Sequence, residues 1–393
     1  MKMATFTKYG LGLAAAQRFP GEAIAEYAGL KSLQYYRPGN PTAPLIVFLP
    51  GGAHLGRIAY GDPSSSPTDF LDYWLERAGI GLLALSYPSD HPATCLPPRD
   101  LTIARWAEWI SSATKKALED TPSREVIVAM WSMAGRSVAA VNSTLGRAGI
   151  FPKCFLSLAA TPPLPGLIPI QPGGEMLTTQ GLWARTPESA PAKDRDPITL
   201  GFLAELAGLA KLNGREIIER EVYLNQYICN TPIMLRGTAQ RYSSDGEYWA
   251  PGEAEIDMSA VRFSAFPFTA MLVPTDPTDE SHVLGDRAAW HFCNVQKIRA
   301  DVSGRHFSSK DWSELRALVQ GLPGKLHREM HGGHFFFVGE DGARRTVVHL
   351  SDIISEVEKV TGELSDLLHK ARRLEASREI VINRERQSEH AFG

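Results

Sequence analysis

A chain of 393 residues, 44% of them hydrophobic, can bury a large core without staples, and a formal net charge of −3 gives it no field to attract nucleic acid or an anionic membrane. Its 4 cysteines, at 95, 154, 229 and 293, are too scattered for a disulfide framework or a paired-thiol metal site, which fits a reducing, cytoplasmic setting. No stretch reaches the ~20 apolar residues that span a bilayer, and the apolar run Gly10 to Ala16 behind Lys2 and Lys8 is too short and glycine-weakened for an export signal.

Further along, short aliphatic runs alternate with amphipathic ones. Leu45 to Leu49, Gly81 to Leu85, Glu125 to Met130 and Cys154 to Ala159 are bounded by Gly, Pro or Ser and read as buried parallel strands. With helices predicted at about 67–78, 99–118 and 133–147, the order is that of right-handed βαβ units. The fold class is α/β: a doubly wound, mostly parallel sheet with helices on both faces. From Thr161 to about Tyr227 the rhythm breaks. Prolines at 162, 163, 165, 169 and 172 lead to a helical stretch around 197–228, which reads as a cap laid over the sheet edge. Strands return at Pro232 to Arg236 and Phe268 to Val273, followed by helices near 286–300 and 310–319 and a last strand around 325–330. Leu350, Ile353, Val357, Val360, Leu364, Leu367, Ala371 and Leu374 then repeat at three- and four-residue steps. They predict a long C-terminal helix whose part beyond about 362 outruns the core and points to a partner, either a homodimer mate or the cap. Residues from 376 onward are highly charged and expected to fray. The division is 1–160 and 229–345 for the two halves of the core, 161–228 for the cap and 346–393 for the helical extension.

The most informative run is Val126-Ile127-Val128-Ala129-Met130-Trp131-Ser132-Met133-Ala134-Gly135, where a buried strand stops at a serine and a helix follows. That is the pattern of a nucleophile elbow, which holds a hydroxyl above the amides opening the next helix; a plain helix N-cap is the duller reading. Ser137, in Gly135-Arg136-Ser137-Val138-Ala139, fits the letters G-x-S-x-A better, but it falls in the second turn of the helix, whereas an elbow follows its strand directly. Met130 stands where a small residue is usual, two positions before the nucleophile. The glycine turn after Leu49 matches neither G-x-x-x-x-G-K nor G-x-G-x-x-G, so no nucleotide cofactor is expected. His54 and Arg57 follow it, at the mouth of the site or on the surface.

Together these pieces resemble the α/β-hydrolase superfamily over roughly residues 40–350, and Gly332-Gly333-His334-Phe335-Phe336 resembles the histidine motif of type II thioesterases serving polyketide and nonribosomal peptide assembly lines. The resemblance implies a triad in the family's order: Ser132 as nucleophile, an acid in the loop Leu272-Val273-Pro274-Thr275-Asp276-Pro277, and His334 as base. Asp276 is the first choice for the acid and Asp279 the close second. Pro232 to Gln240 resembles the same family strand with Gln240 in the acid's place, which keeps Asp245 in contention. The oxyanion hole is implied at the amide of Met133 and at Gly52 or Ala53.

The chemistry requires these types together. A serine hydroxyl is a poor nucleophile at neutral pH, so an imidazole must take its proton and return it to the leaving group, a carboxylate must fix the imidazole's tautomer, and fixed donors must meet the charge on the carbonyl oxygen. No metal is expected: in His327-Arg328-Glu329-Met330-His331 the glutamate is misplaced for H-E-x-x-H, and Gly332-Gly333 would stop the helix that motif needs. The expected activity is cleavage of a small-molecule ester or thioester, free or on a carrier protein. Leu167, Leu182, Trp183, Phe202 and Leu206 in the cap suggest an apolar or bulky acyl group. A cyclising or transferring acyltransferase, and a hydrolase-fold protein that binds without turnover, are the alternatives.

Overall fold

The computed structural model describes residues 18–119, 125–164, 167, 174–186, 197–258 and 266–391, with backbone alone at 197–199 and 377–391. The leader-like segment at 2–16 and Pro165, Pro169 and Pro172 lie outside the described residues.

Two strands that hydropathy had not suggested come first. β1 (Glu22–Tyr27) and β2 (Leu30–Arg37) form an antiparallel hairpin. Its turn, Ala28 and Gly29, has positive φ at both positions, as a tight type I′ connection demands. The predicted rhythm follows: β3 (Leu45–Leu49), α1 (Leu71–Arg77), β4 (Gly81–Leu85), α2 (Ile103–Glu119), β5 (Val126–Trp131), α3 (Val138–Arg147) and β6 (Cys154–Leu158). β7 (Leu182–Trp183), α4 (Pro197–Asn213), α5 (Arg220–Gln226), β8 (Thr231–Pro232), β9 (Gln240–Ser243), β10 (Gly246–Trp249) and α6 (Pro251–Asp257) lie outside the main sheet. β11 (Thr269–Pro274), α7 (Glu280–Val302), α8 (Ser309–Leu326), β12 (His327–Met330) and α9 (Glu340–Ala391) complete the chain.

The main sheet has the order β1-β2-β4-β3-β5-β6-β11-β12. Everything from β4 to β12 pairs in parallel, and only β2 of the N-terminal hairpin runs against that direction. Because side chains alternate along a strand, each aliphatic run feeds two cores. Ile46, Phe48, Ile127, Ala129, Trp131, Leu156 and Leu272 face a layer shared with α1, α8 and α9, whereas Val47, Leu49, Val128, Met130, Phe155 and Val273 face α2, α3 and Trp290 of α7. This is the α/β-hydrolase fold.

Two expectations need correction. Pro232 to Arg236 is not a core strand: Thr231 and Pro232 pair only with β7, and Ile233 to Arg236 coil into a 3-10 turn that ends at left-handed Gly237. Proline removes a ladder donor and glycine ends the run after it, so five apolar-looking residues never reach strand length. The C-terminal seam also needs no second chain as far as Ala371. Leu364, Leu367 and Ala371 are buried within this chain, and Leu364 and Leu367 share the core layer that holds Leu315, Leu318 and Leu322 of α8. Lys325–Glu363 and Lys370–Glu314 ion pairs flank that packing. Among the described residues no helix is long and apolar enough to cross a membrane.

Replacing Leu367 by Ala removes a side chain from this intramolecular seam and should cost about 2–5 kcal/mol. Denaturant unfolding of Leu367→Ala is expected to show a lower midpoint that does not move with protein concentration; a concentration-dependent midpoint would put a second chain on this face instead.

Candidate active site

The elbow is a left-handed serine. Ser132 has φ +53°, a costly conformation for a residue with a Cβ, and two backbone bonds hold it there. Its N–H donates to the Ala159 carbonyl at 3.1 Å, and its carbonyl accepts from the Thr161 N–H at 2.9 Å, so the β5–β6 ladder continues past the strand end. A 3-10 turn, Ser132–Ser137, leads into α3. Met130, the large residue where a small one is usual, is fully buried in the layer with Val138 and Val141 of α3, which absorbs its bulk. The tight approach falls on two glycines instead. A Cβ on Gly51 would stand 2.8 Å from the Ser132 Cβ, and one on Gly135 would stand 2.5 Å from the Thr161 carbonyl oxygen. Ser137 is buried, its hydroxyl donating to the Ala134 carbonyl at 2.7 Å, and it takes no part in the site.

After β3, the chain turns through Gly51, Gly52 and Ala53, the last with φ +66°. The Ala53 amide donates to Thr231 Oγ1 at 2.7 Å, so it is not available as an oxyanion donor, contrary to expectation. Among the described residues the Gly52 and Met133 amides carry no such bond, and Met133 is in the first turn of Ser132–Ser137, where helical amides lack internal acceptors. A Cβ on Gly52 would lie 3.4 Å from Met133 Sδ and 3.0 Å from the Trp183 ring, which brings the two turns and the segment after β6 together.

His54 lies beneath this turn, fully buried rather than at the mouth. Its Nδ1 is 2.9 Å from the Gly52 carbonyl, which can only accept, so Nδ1 carries the proton and Nε2 accepts from the Tyr223 hydroxyl at 2.7 Å. Burial pushes its pKa down to about 3, against the Gly52 hydrogen bond and with help from the His334 charge. Arg57 is likewise internal, paired with Glu22 at 2.7 Å.

The imidazole at 334 sits on the loop after β12, at the same end of the sheet. Trp131, the residue before the elbow serine, donates from its indole Nε1 to the His334 carbonyl at 3.1 Å, and the two rings are 5.3 Å apart. Gly332 allows the turn that leads to His334, since its φ of +121° is one that a residue with a Cβ rarely adopts. The Gly332 carbonyl accepts from the amides of Thr275 and Asp276, tying the acid loop to the histidine loop. His334 Nδ1 meets Asp279 Oδ2 at 2.7 Å. No hydrogen bond joins the Ser132 hydroxyl to His334 among the described residues, which is common before substrate closes such a site.

Asp279, the second choice, therefore replaces Asp276 as the carboxylate at the imidazole. Asp276 is part-exposed and turned into its own loop, where it accepts from the Thr278 amide and hydroxyl; those bonds, with a smaller contribution from the charge of His331, lower its pKa, and His334 has no part in it. It caps the 3-10 turn Pro277–Asp279, and that turn lifts Asp279 toward the ring. For Asp279, burial would raise the carboxyl, but the hydrogen bond and charge of His334 and the charge of His282 outweigh it and hold the pKa below the ordinary value. Asp245 is excluded: it is exposed in the β9–β10 hairpin turn, and Gln240 bonds the Glu175 backbone and Glu247.

Sequence reading missed His282. It stands in the first turn of α7, and its ring lies 5.2 Å from that of His334. One ligating atom from each of Asp279, His282 and His334 falls within 4.8 Å of the others, close enough to share an ion. The direct 2.7 Å contact between Asp279 and His334 instead fits a hydrogen-bonded pair, since a shared ion would stand between them. His327, in β12, and exposed His331 do not join that group. A signal was present in the i, i+4 pair His282 and Asp286 directly after the acid loop.

No family model matches this chain, and no curated protein matches it. Similar solved structures include Est1E from Butyrivibrio proteoclasticus, 13% identical, with 85% of this chain and 99% of that one covered and a TM-score of 0.39. A thermophilic esterase from Thermogutta terrifontis is 10% identical over 86% of this chain and 97% of its own, with a TM-score of 0.41. A thioesterase domain from the curacin biosynthetic pathway is 12% identical over 85% and 98%, with a TM-score of 0.35.

The neutral, buried state of His54 makes stability depend on pH. The unfolded chain takes a proton near pH 6.5 and the folded one only near pH 3, so stability present above pH 6.5 is lost as pH falls between those values. By pH 5 the loss reaches about 2 kcal/mol from this residue. The Tm of the protein should fall more steeply from pH 7 to pH 5 than that of His54→Asn, and equal slopes would refute the assignment.

Proposed function

We propose that this protein is a serine hydrolase that cleaves an ester or thioester through Ser132, His334 and Asp279, with an acyl-enzyme intermediate. The observation that carries this reading is the 2.7 Å contact between His334 Nδ1 and Asp279 Oδ2, on a loop hydrogen-bonded to the residue before a left-handed serine at a strand end. Asp279 accepts the Nδ1 proton, which leaves His334 Nε2 as the unprotonated nitrogen able to receive the serine proton. The serine oxygen then adds to the acyl carbonyl carbon and the carbonyl electron pair moves onto oxygen, where the Gly52 and Met133 amides are placed to meet it. Collapse expels the alcohol or thiol with the proton that His334 held, and water repeats the cycle to release the acid.

The surroundings support an apolar or bulky acyl group. Met133, Trp183 and Ile233 are buried beside the Gly52 turn, Phe202 of α4 packs against His54 and Phe335, and Leu206 is buried with them. Leu167 is exposed and makes no such contribution. We read 161–228 as the cap, with the β9–β10 hairpin and α6 continuing it. Transfer to a hydroxyl or amine, on a free or carrier-bound substrate, needs the same groups and differs only in the acceptor.

A fluorophosphonate probe should label the wild type covalently and leave Ser132→Ala unlabelled; an unlabelled wild type would sink the nucleophile assignment. Among acids, Asp279→Asn should lower kcat by about 10³–10⁴-fold on a short-chain ester, as loss of a triad carboxylate does, whereas Asp276→Asn should change it by less than about three-fold. The reverse ranking would return the role to Asp276.

A further inference from the structure

Asp279 has a second imidazole beside it. His282 and Asp286 lie one turn apart on α7, both buried, with Nδ1 and Oδ1 2.9 Å apart. The His282 ring is inclined 33° to that of His334 at 5.2 Å, so the two rings are stacked with a tilt. Asp279 therefore has His334 in hydrogen-bond contact at 2.7 Å and His282 within 4.8 Å. The far oxygen of Asp286, Oδ2, is buried with no partner. Fold stability does not explain this, because an apolar pair of the same volume would be as good or better at such a place, and buried charge next to a reactive site is more often functional.

We propose that His282, anchored by Asp286, is a positioning residue for the Asp279–His334 pair: its ring lies against that of His334, and its protonated form is a partner for the Asp279 carboxylate. This rests on the triad reading above. The charged groups that act on His282 are Asp286 from its own helix and Asp279 from the preceding turn, with His334 of the loop after β12 against its face. Burial works against a charge on His282, but the hydrogen bond and charge of Asp286 and the charge of Asp279 outweigh it and raise its pKa. For Asp286, burial dominates and raises the carboxyl against the pull of His282, so the pair as a whole retains its proton. In catalysis His334 becomes cationic each time it takes the serine proton. The His282 ring, held by Asp286, stands within 4.8 Å of Asp279 and His334 and limits how far that carboxylate and ring can turn.

The test uses His282→Asn, which keeps a donor toward Asp286 but no ring or charge, and Asp286→Asn, which keeps the acceptor. Both should retain the wild-type thermal transition to within a few degrees, label fully but more slowly with fluorophosphonate, and lose about 10–100-fold in kcat, as outer partners of functional imidazoles do, with KM nearly unchanged. In His282→Asn the acid limb of kcat/KM should move up by roughly half to one pH unit, because a group that can carry positive charge has left the site. Wild-type kcat in both variants, or an unmoved or lowered acid limb in His282→Asn, would overturn the proposal. A separate reading comes from the low-field imidazole N–H resonance of the Asp279–His334 bond in the free protein. Its shift or broadening in His282→Asn supports the pairing, and an unchanged resonance refutes it. That result stands even if the wild type proves inert to the probe, in which case the hydrolase reading fails and the positioning claim is judged by the resonance.

Discussion

The site depends on one constraint: Ser132 must hold a left-handed backbone at the end of β5. An L-residue does not stay there unaided. The structure holds it by extending the β5–β6 ladder past the strand, with Ala159 and Thr161 bonding the two sides of the serine, and by bringing Gly51 and Gly135 into spaces where a Cβ would not fit. Three of the positive-φ non-glycine positions, Ala53, Ser132 and Ala159, follow the ends of adjacent strands β3, β5 and β6. Strain is thus concentrated at one end of the sheet, where the parallel strands supply the bonds that retain it.

Burial and partner charge give the histidines around that point different roles. His54 is enclosed, donates to the Gly52 carbonyl and is kept neutral, so it braces the turn Gly51 to Ala53. His334 is part-exposed, with one nitrogen committed to Asp279 and the other free for chemistry. His282 is buried against Asp286 and retains its proton more firmly than a solvated imidazole. Two copies of one side chain, His54 and His282, are thus pushed in opposite directions because their surroundings differ.

Much of this was legible in the chain. The strands β3 to β6 and β11, the helices between them and Ser132 follow from periodicity and from a serine that ends an apolar run, because these signals are local and the sheet buries them on both faces, whereas His334 stands out only through the resemblance of Gly332 to Phe336 to a family motif. The acid was not, since Asp276 and Asp279 are three residues apart in one polar loop. Which of them turns toward the ring is decided by a 3-10 turn that Asp276 itself caps. The β1–β2 hairpin escaped notice because its strands are only partly buried at the sheet edge, and the run at 232–236 misled because apolar residues next to Pro232 and Gly237 look like a strand without being long enough to act as one.

The sequence by itself determined the layering and the serine that ends β5, because each is written in neighbouring residues. Tertiary structure alone decided that Ala53 gives its amide to Thr231, that Asp279 faces His334, that α9 packs on α8 and that His282 stands behind the acid. These pairings join residues whose separation in the chain says nothing of their separation in space. Only the closure of the sheet and the packing of the segment after β6 bring them within hydrogen-bond or stacking distance.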